Sequence, residues 1–401
     1  MLRLTLYIFF FLACGVALAQ PAADTTKPIV VGAERMEQYL PLLQGKNVAL
    51  LINHTSVVGK TSLLDTLLKR DIKVKKVFAP EHGIRGKAAE GENIKNEIDS
   101  ATGIPVLSLH GDTKKPTAAY MDSIDVVVFD IQDVGARFYT YISTLQYAME
   151  ACAEYGKELV ILDRPNPNGH YVDGPVLDTS LRSFVGMQPI PIVYGMTEGE
   201  YATMLVGQKW FAKASKLKMH VITCENYDHN RIYQIKIAPS PNLRNNIAIA
   251  CYPTTCLFEG TVMSVGRGTD MPFQQWGHPD LKGKTSHTFM PVPYFGQTSE
   301  PLYAFKQCFG QLVAMNQKEV NMLLKDQVRL TWLLRAYQLF PDKDQFFTNF
   351  FEKLAGTKEL RKQVQQGLTE EQIKATWQPG LKAFKKIRAK YLLYKDFDAK
   401  A

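Results

Sequence analysis

From Lys46 onward, short apolar runs end in polar clusters and are separated by stretches with helical spacing. The runs cover 47–53, 74–79, 104–109, 125–130 and 159–163, and they are rich in Val, Ile and Leu. Runs without polar alternation mark strands buried on both faces, so the pattern predicts a mostly parallel sheet with helices on either side. The segments 62–69 and 139–155 carry the apolar spacing of those helices. After about Phe184 the texture changes. Thr197 and Glu200 make a capping-box signature at the start of a helix, 219–223 and 232–237 read as strands, and the chain from Glu319 is largely helical, with breaks near Pro341, Gly356 and Pro379.

In open parallel sheets, ligands bind beyond the carboxyl ends of the strands. Those ends carry Asn53-His54-Thr55, Glu81-His82-Gly83, His110-Gly111-Asp112, Asp130 to Asp133 with Arg137, and Asp163-Arg164-Pro165-Asn166. A sheet edge with a purely structural role does not need such dense polar chemistry. No G-x-G-x-x-G follows any strand, and the Gly that a phosphate loop would need before Gly59-Lys60-Thr61 is His54, so a nucleotide site is excluded.

Composition adds two constraints. The first 19 residues hold one cation, Arg3, an apolar run from Leu4 to Cys14 and the small-x-small ending Ala17-Leu18-Ala19, which predicts a signal peptide and an exported, periplasmic or extracellular protein. That run is shorter than the ~20 residues of a membrane span, and no later one replaces it. A lipid anchor at Cys14 is the alternative reading of the same segment. The other cysteines, Cys152, Cys224, Cys251, Cys256 and Cys308, are too thinly spread for a disulfide framework or a zinc site. The formal charge of +8 is concentrated late, on the polar face of a helix bearing Lys382, Lys385, Lys386, Arg388 and Lys390. It reads as a solvated face and calls for no nucleic-acid partner.

Glu81, Glu90 and Glu92 lie in one glycine-rich loop after a strand, where Gly83, Gly86 and Gly91 permit sharp turns and close approach to a ligand. Carboxyl pairs suit glycosidic hydrolysis, because burial can hold one protonated while the other stays ionised. Glu81 either contacts substrate or anchors Arg85; Glu90 has the weakest case. Asp133 and Arg137 either clamp a substrate carboxylate or bridge to each other, with Tyr139 and Tyr141 as candidate sugar-stacking faces. The segment from Asp163 to Pro175 packs three prolines and two glycines into thirteen positions. It presents Arg164, Asn166 and Asp173 with little conformational freedom. Two further loops, 238–243 and 258–269, have the Pro, Gly and Asn content of functional segments.

Together, Ala79-Pro-Glu-His-Gly-Ile-Arg-Gly86, Glu90-Gly-Glu92, Asp130 to Tyr141, Leu162-Asp-Arg-Pro-Asn-Pro167, Gly174-Pro175, Gly195-Met-Thr197, Ser240-Pro-Asn242 and Leu257-Phe-Glu-Gly260 with Gly266-Arg-Gly-Thr269 resemble the DUF1343 family, associated with exo-β-N-acetylmuramidases. The resemblance implies a Rossmann-like catalytic domain over 28–185 and a smaller α+β domain over 186–401, with the site between them. It implies release of N-acetylmuramic acid from the non-reducing end of peptidoglycan fragments, without cofactor or metal. It points to Glu92 as first catalytic carboxylate, with Glu81 and Asp173 as partners, and to His82, Arg85, Asp133, Arg137, Tyr139, Arg164, Asn166, Asn242, Glu259 and Arg267 as substrate contacts. Asp173 stands where the family pattern has Glu, and Tyr194 where it has His. The lactyl carboxylate of the sugar calls for a cation, for which Arg85, Arg137, Arg164 and Arg267 are candidates.

Two other classes remain open at the level of sequence. One is a metal-dependent hydrolase or esterase using His54, His82, Asp130, Asp133 and Asp163. The other is a two-lobed sugar-binding protein without catalysis.

Overall fold

The computed structural model describes residues 23–24, 26–81, 84, 96–111, 113–294 and 298–398. Seven strands form one sheet: β1 (Val48–Ile52), β2 (Val74–Ala79), β3 (Glu97–Ile98), β4 (Pro105–Ser108), β5 (Val126–Asp130), β6 (Glu158–Leu162) and β7 (Lys218–Ile222), in the order β3-β4-β2-β1-β5-β6-β7. All pairings are parallel except that of β3 with β4. Burial follows position: every residue of the central β1 and β5 is buried, whereas edge strand β7 exposes alternate residues. The strand order reverses between β1 and β5, so the chain leaves these two strands in opposite directions and opens a crevice at their carboxyl ends.

Helices α1 (Met36–Leu43), α2 (Leu63–Leu68), α3 (Ala118–Met121), α4 (Tyr141–Tyr155) and α5 (Glu198–Gly207) accompany this sheet. Helix α4 stops at Gly156, whose φ of 66° is left-handed and lets its N–H bond to the Cys152 carbonyl. The predicted capping box opens α5: the Thr197 hydroxyl accepts from Glu200 N, and the Glu200 carboxylate from Thr197 N. Strand β7 lies beyond residue 185, so the sheet extends past the expected domain boundary.

The rest of the chain builds a smaller unit from a three-stranded antiparallel sheet, β8 (Gln275–His278), β10 (Cys308–Leu312) and β9 (His287–Phe289) in that order, with helices α6 (Asn246–Thr255), α7 (Thr331–Leu339), α8 (Phe351–Ala355), α9 (Glu359–Gln365) and α10 (Glu370–Arg388). One apolar cluster runs without interruption from α4 to α10, so the two units share a core. The five described cysteines are buried free thiols, and no helix among the described residues is long and apolar enough to cross a membrane.

Three local expectations change. The segment 232–237 is not a strand, because the Asn246 side chain holds Ile235 N and O at 2.8 and 3.3 Å in place of a ladder. Pro379 does not break α10, where Trp377, Leu381 and Phe384 stay buried on one face. Arg388 leaves the solvated face. It is buried and donates to the Gly195 carbonyl at 2.8 and 2.6 Å, fastening α10 to the first domain.

Candidate active site

The carboxyl ends of the strands deliver their polar side chains to different depths. Beyond β2, Pro80 leads into Glu81, which borders a cleft of about 180 Å³. The start of α4 supplies Tyr139 and Tyr141, the loop 238–243 supplies Ser240 and Asn242, and the second domain supplies Tyr252, Glu259, Arg267 and Phe273. A volume of that size holds several water molecules and leaves room for a small ligand group. Of the candidate residues within the described part of the chain, Glu81, Tyr139, Asn242, Glu259 and Arg267 therefore meet in one cavity between the domains. Glu92, His82 and Arg85 lie outside the described residues, as does Glu90.

Charge on the second-domain wall is organised around Arg267. Its Nε donates to Glu259 Oε1 at 2.6 Å, and the guanidinium rests 4.9 Å from the centre of the Phe273 ring. The Cys256 thiol reaches the other Glu259 oxygen at 3.5 Å. An ion pair and an aromatic face thus fix the direction of the one cation that lines the cleft among the described residues. On the opposite wall, burial lifts the pKa of Tyr139 and Tyr141 well above the ordinary phenol value, and the nearby Glu81 charge adds to the effect. Both phenols stay protonated at neutral pH.

The remaining candidates are placed in the packing beneath or beside the cleft. Arg137 is fully buried and donates to the carbonyls of Pro175 at 2.9 Å, Ile190 at 3.0 Å and Leu354 at 2.7 Å. These bonds satisfy Nη1 and Nη2 without Asp133 and leave only the buried Nε without a partner, and burial pushes the guanidinium pKa down to about 9. Arg164 makes a two-point bond to Asp130, with Nε–Oδ1 at 2.5 Å and Nη2–Oδ2 at 3.0 Å. Asn166 donates to Met196 O and accepts from Asn168 N. A Cβ on Gly135, which has φ +78°, would lie 2.0 Å from Asn166 Oδ1, so glycine is required for this approach.

Asp133 Oδ2 accepts from the Tyr194 hydroxyl at 2.7 Å and from Gly135 N at 2.6 Å. Tyr194 thus serves as a buried donor in the position where the family pattern has His. Burial lifts Asp133 to about 7. Asp173 accepts from Val328 N and Lys374 Nζ, each at 2.9 Å, joining the two domains through an ion pair away from the cleft lining. In that placement its short side chain is already occupied by the second domain.

The set proposed as metal ligands also disperses. His54 Nε2 meets Ala238 O at 2.7 Å, Asp130 faces Arg164, and Asp163 accepts from Thr197, Tyr394 and Gly199 N. Among the described residues, no three His, Cys, Asp or Glu side chains gather as a metal-binding group.

Tyr252, Phe273 and Cys256 line the cleft without having been singled out by sequence as site residues, and Ser240 joins them from the loop 238–243. Tyr252 and Cys256 belong to the apolar stretch of α6 and the turn after it, where their spacing matches that of ordinary core residues. Only the packing of Tyr252 against Phe138 and Tyr139, just before α4, brings this segment to the cavity.

Comparison with known proteins follows the same two-part division. A family model described as exo-β-N-acetylmuramidase NamZ, N-terminal, matches residues 48–247, and its C-terminal counterpart matches 250–394. The peptidoglycan β-N-acetylmuramidase NamZ of Bacillus subtilis (strain 168) is 37% identical over 376 residues, which covers 90% of this chain and 89% of the relative. A DUF1343 family crystal structure from Bacteroides fragilis NCTC 9343 superposes with a TM-score of 0.84 at 44% identity, covering 92% of this chain and 100% of that one. A second from the same organism gives 0.73 at 31% identity, covering 92% and 99%.

Proposed function

The chain belongs to the exo-β-N-acetylmuramidase NamZ family, and on that premise we propose that it is a glycoside hydrolase releasing N-acetylmuramic acid from the non-reducing end of peptidoglycan fragments. The observation that carries the reading is the interdomain cleft, whose lining holds both a carboxylate, Glu81, and a cation, Arg267, fixed by Glu259. Hydrolysis needs one carboxyl group to protonate the leaving oxygen and another to attack the anomeric carbon or activate water. Glu92 and Glu81 are the pair assigned to these roles. Asp173, held by Lys374, is left to join the domains.

Arg267 is assigned to the lactyl carboxylate, the group that distinguishes this sugar from N-acetylglucosamine. Arg137 and Arg164 point their terminal nitrogens at buried carbonyls and at Asp130 and do not line the cleft, whereas Arg267, paired with Glu259, does. The N-terminal segment supports export to the compartment that holds the wall.

The test is incubation with a chromogenic β-N-acetylmuraminide beside the corresponding β-N-acetylglucosaminide, in the presence and absence of EDTA. Release from the muraminide alone, insensitive to EDTA and nearly abolished in Glu92→Gln with ligand binding retained, is expected. Release from neither sugar overturns the reading, and loss with EDTA that added metal restores transfers it to a metal-dependent hydrolase.

A further inference from the structure

Tyr139 stands in the cleft wall with its ring already engaged by neighbouring aromatic side chains. Tyr141 meets it edge-on at 5.0 Å and 84°, and Tyr252 at 5.8 Å and 88°. Protein rings therefore already hold the Tyr139 ring between them. Its hydroxyl is in the opposite condition: the oxygen is buried and has no hydrogen-bond partner. Ser240 comes near enough to draw the phenol pKa down against the larger effect of burial, and the Tyr139 hydroxyl in turn draws down that of Tyr141, yet neither neighbour meets it in hydrogen-bond geometry. Among the described residues, this is the one hydroxyl that is both buried without a partner and part of the cleft lining.

Buried hydroxyls in folded proteins are nearly always paired, because an unpaired one has lost its water and gained nothing in return. An exception on a ring held by two aromatic contacts, in a residue that lines the cleft, has an evident candidate partner. We propose that the Tyr139 hydroxyl is a hydrogen-bond donor reserved for an oxygen of the bound terminal sugar, positioning that sugar against Glu81. The inference rests on the glycosidase reading for its choice of ligand. Its physical basis is the unpaired hydroxyl and the clamped ring. Burial keeps the phenol protonated, so it can donate throughout the neutral range.

Tyr139→Phe removes the oxygen and keeps the ring contacts. Two readouts separate a ligand-directed hydroxyl from a structural one. With no internal partner to lose, the variant should melt at or above the wild-type temperature. Its kcat/KM on the chromogenic muraminide should fall about ten-fold, the scale of one lost hydrogen bond in a desolvated site. Calorimetric affinity for free N-acetylmuramic acid should fall by a similar factor.

Turnover and binding both within two-fold of wild type overturn the proposal, as does a lowered melting temperature, which reveals an internal partner. If the wild type binds the sugar without hydrolysing it, the glycosidase reading fails, and weaker binding by Tyr139→Phe still supports this one. A wild type that neither binds nor hydrolyses it overturns both.

Discussion

Arg137→Met separates two roles that residue type and spacing leave equal. The guanidinium donates three hydrogen bonds, at 2.9, 3.0 and 2.7 Å, to carbonyls of Pro175, Ile190 and Leu354, and none of these partners is a carboxylate. Methionine fills most of the same volume but leaves two buried acceptors, Pro175 O and Leu354 O, without donors, at about 1–3 kcal/mol each, while Ile190 O keeps its bond from Leu177 N. Removing a cation whose pKa burial has driven to about 9 recovers part of that loss. The net expectation is destabilisation by about 3 kcal/mol, well above the usual effect of a surface change.

Leu354 lies on α8 and the other two acceptors belong to the first domain, so the loss should loosen the interdomain seam. Urea unfolding followed by circular dichroism measures the change, and KM for the muraminide should stay near the wild-type value in protein that remains folded. An unchanged unfolding midpoint together with a raised KM would refute the reasoning, since the guanidinium would then belong to the substrate. Gly356→Ala supplies an independent check. The added Cβ would lie 2.5 Å from Arg137 Nη2 at a left-handed φ of +76°, so this variant too should unfold at lower urea.

Three further outcomes are expected. Arg267→Ala should raise KM for the muraminide about ten-fold or more while leaving any glucosaminide turnover unchanged, and an equal effect on both sugars would remove Arg267 from lactyl recognition. Asp173→Ala should lower stability by about 2–4 kcal/mol, because Lys374 and Val328 N lose a buried acceptor; full stability with lost turnover would return Asp173 to catalysis. Asp133 titrates near 7 in the folded protein against 3.8 as its ordinary value. The folded state therefore holds the extra proton between those values, and the burial penalty is absent below about pH 4, grows as pH rises and is complete above 7. Asp133→Asn should flatten the fall of melting temperature between pH 4 and 8, and a curve parallel to wild type would show that Asp133 does not titrate there.

The hydrophobic pattern alone carried the parallel strands β1, β2, β4, β5 and β6, helix α4 and the capping box of α5. In each case a local rule, such as an unbroken apolar run or a Thr and Glu three positions apart, coincides with what burial requires. Motif chemistry carried the list of candidates equally well. It could not separate them, because an arginine beside a glycine-rich turn looks the same whether it ends on a carbonyl or in a cavity. Arg137 and Arg267 differ only in what lies within 3 Å of their guanidinium groups. That neighbourhood includes Pro175, Ile190 and Leu354 in one case and Glu259 in the other, residues that chain folding alone brings near.

The same holds for Ile232 to Ile237, whose strand-like composition yields to the Asn246 side chain, and for Tyr139, whose ring is already in contact with two tyrosines. Periodicity in the sequence determines which face of an element is buried, since that depends on 3.6- or 2-residue repeats along one chain. Which buried polar group finds a partner, and which is left facing a ligand, depends on distances between elements, and only the tertiary structure sets those.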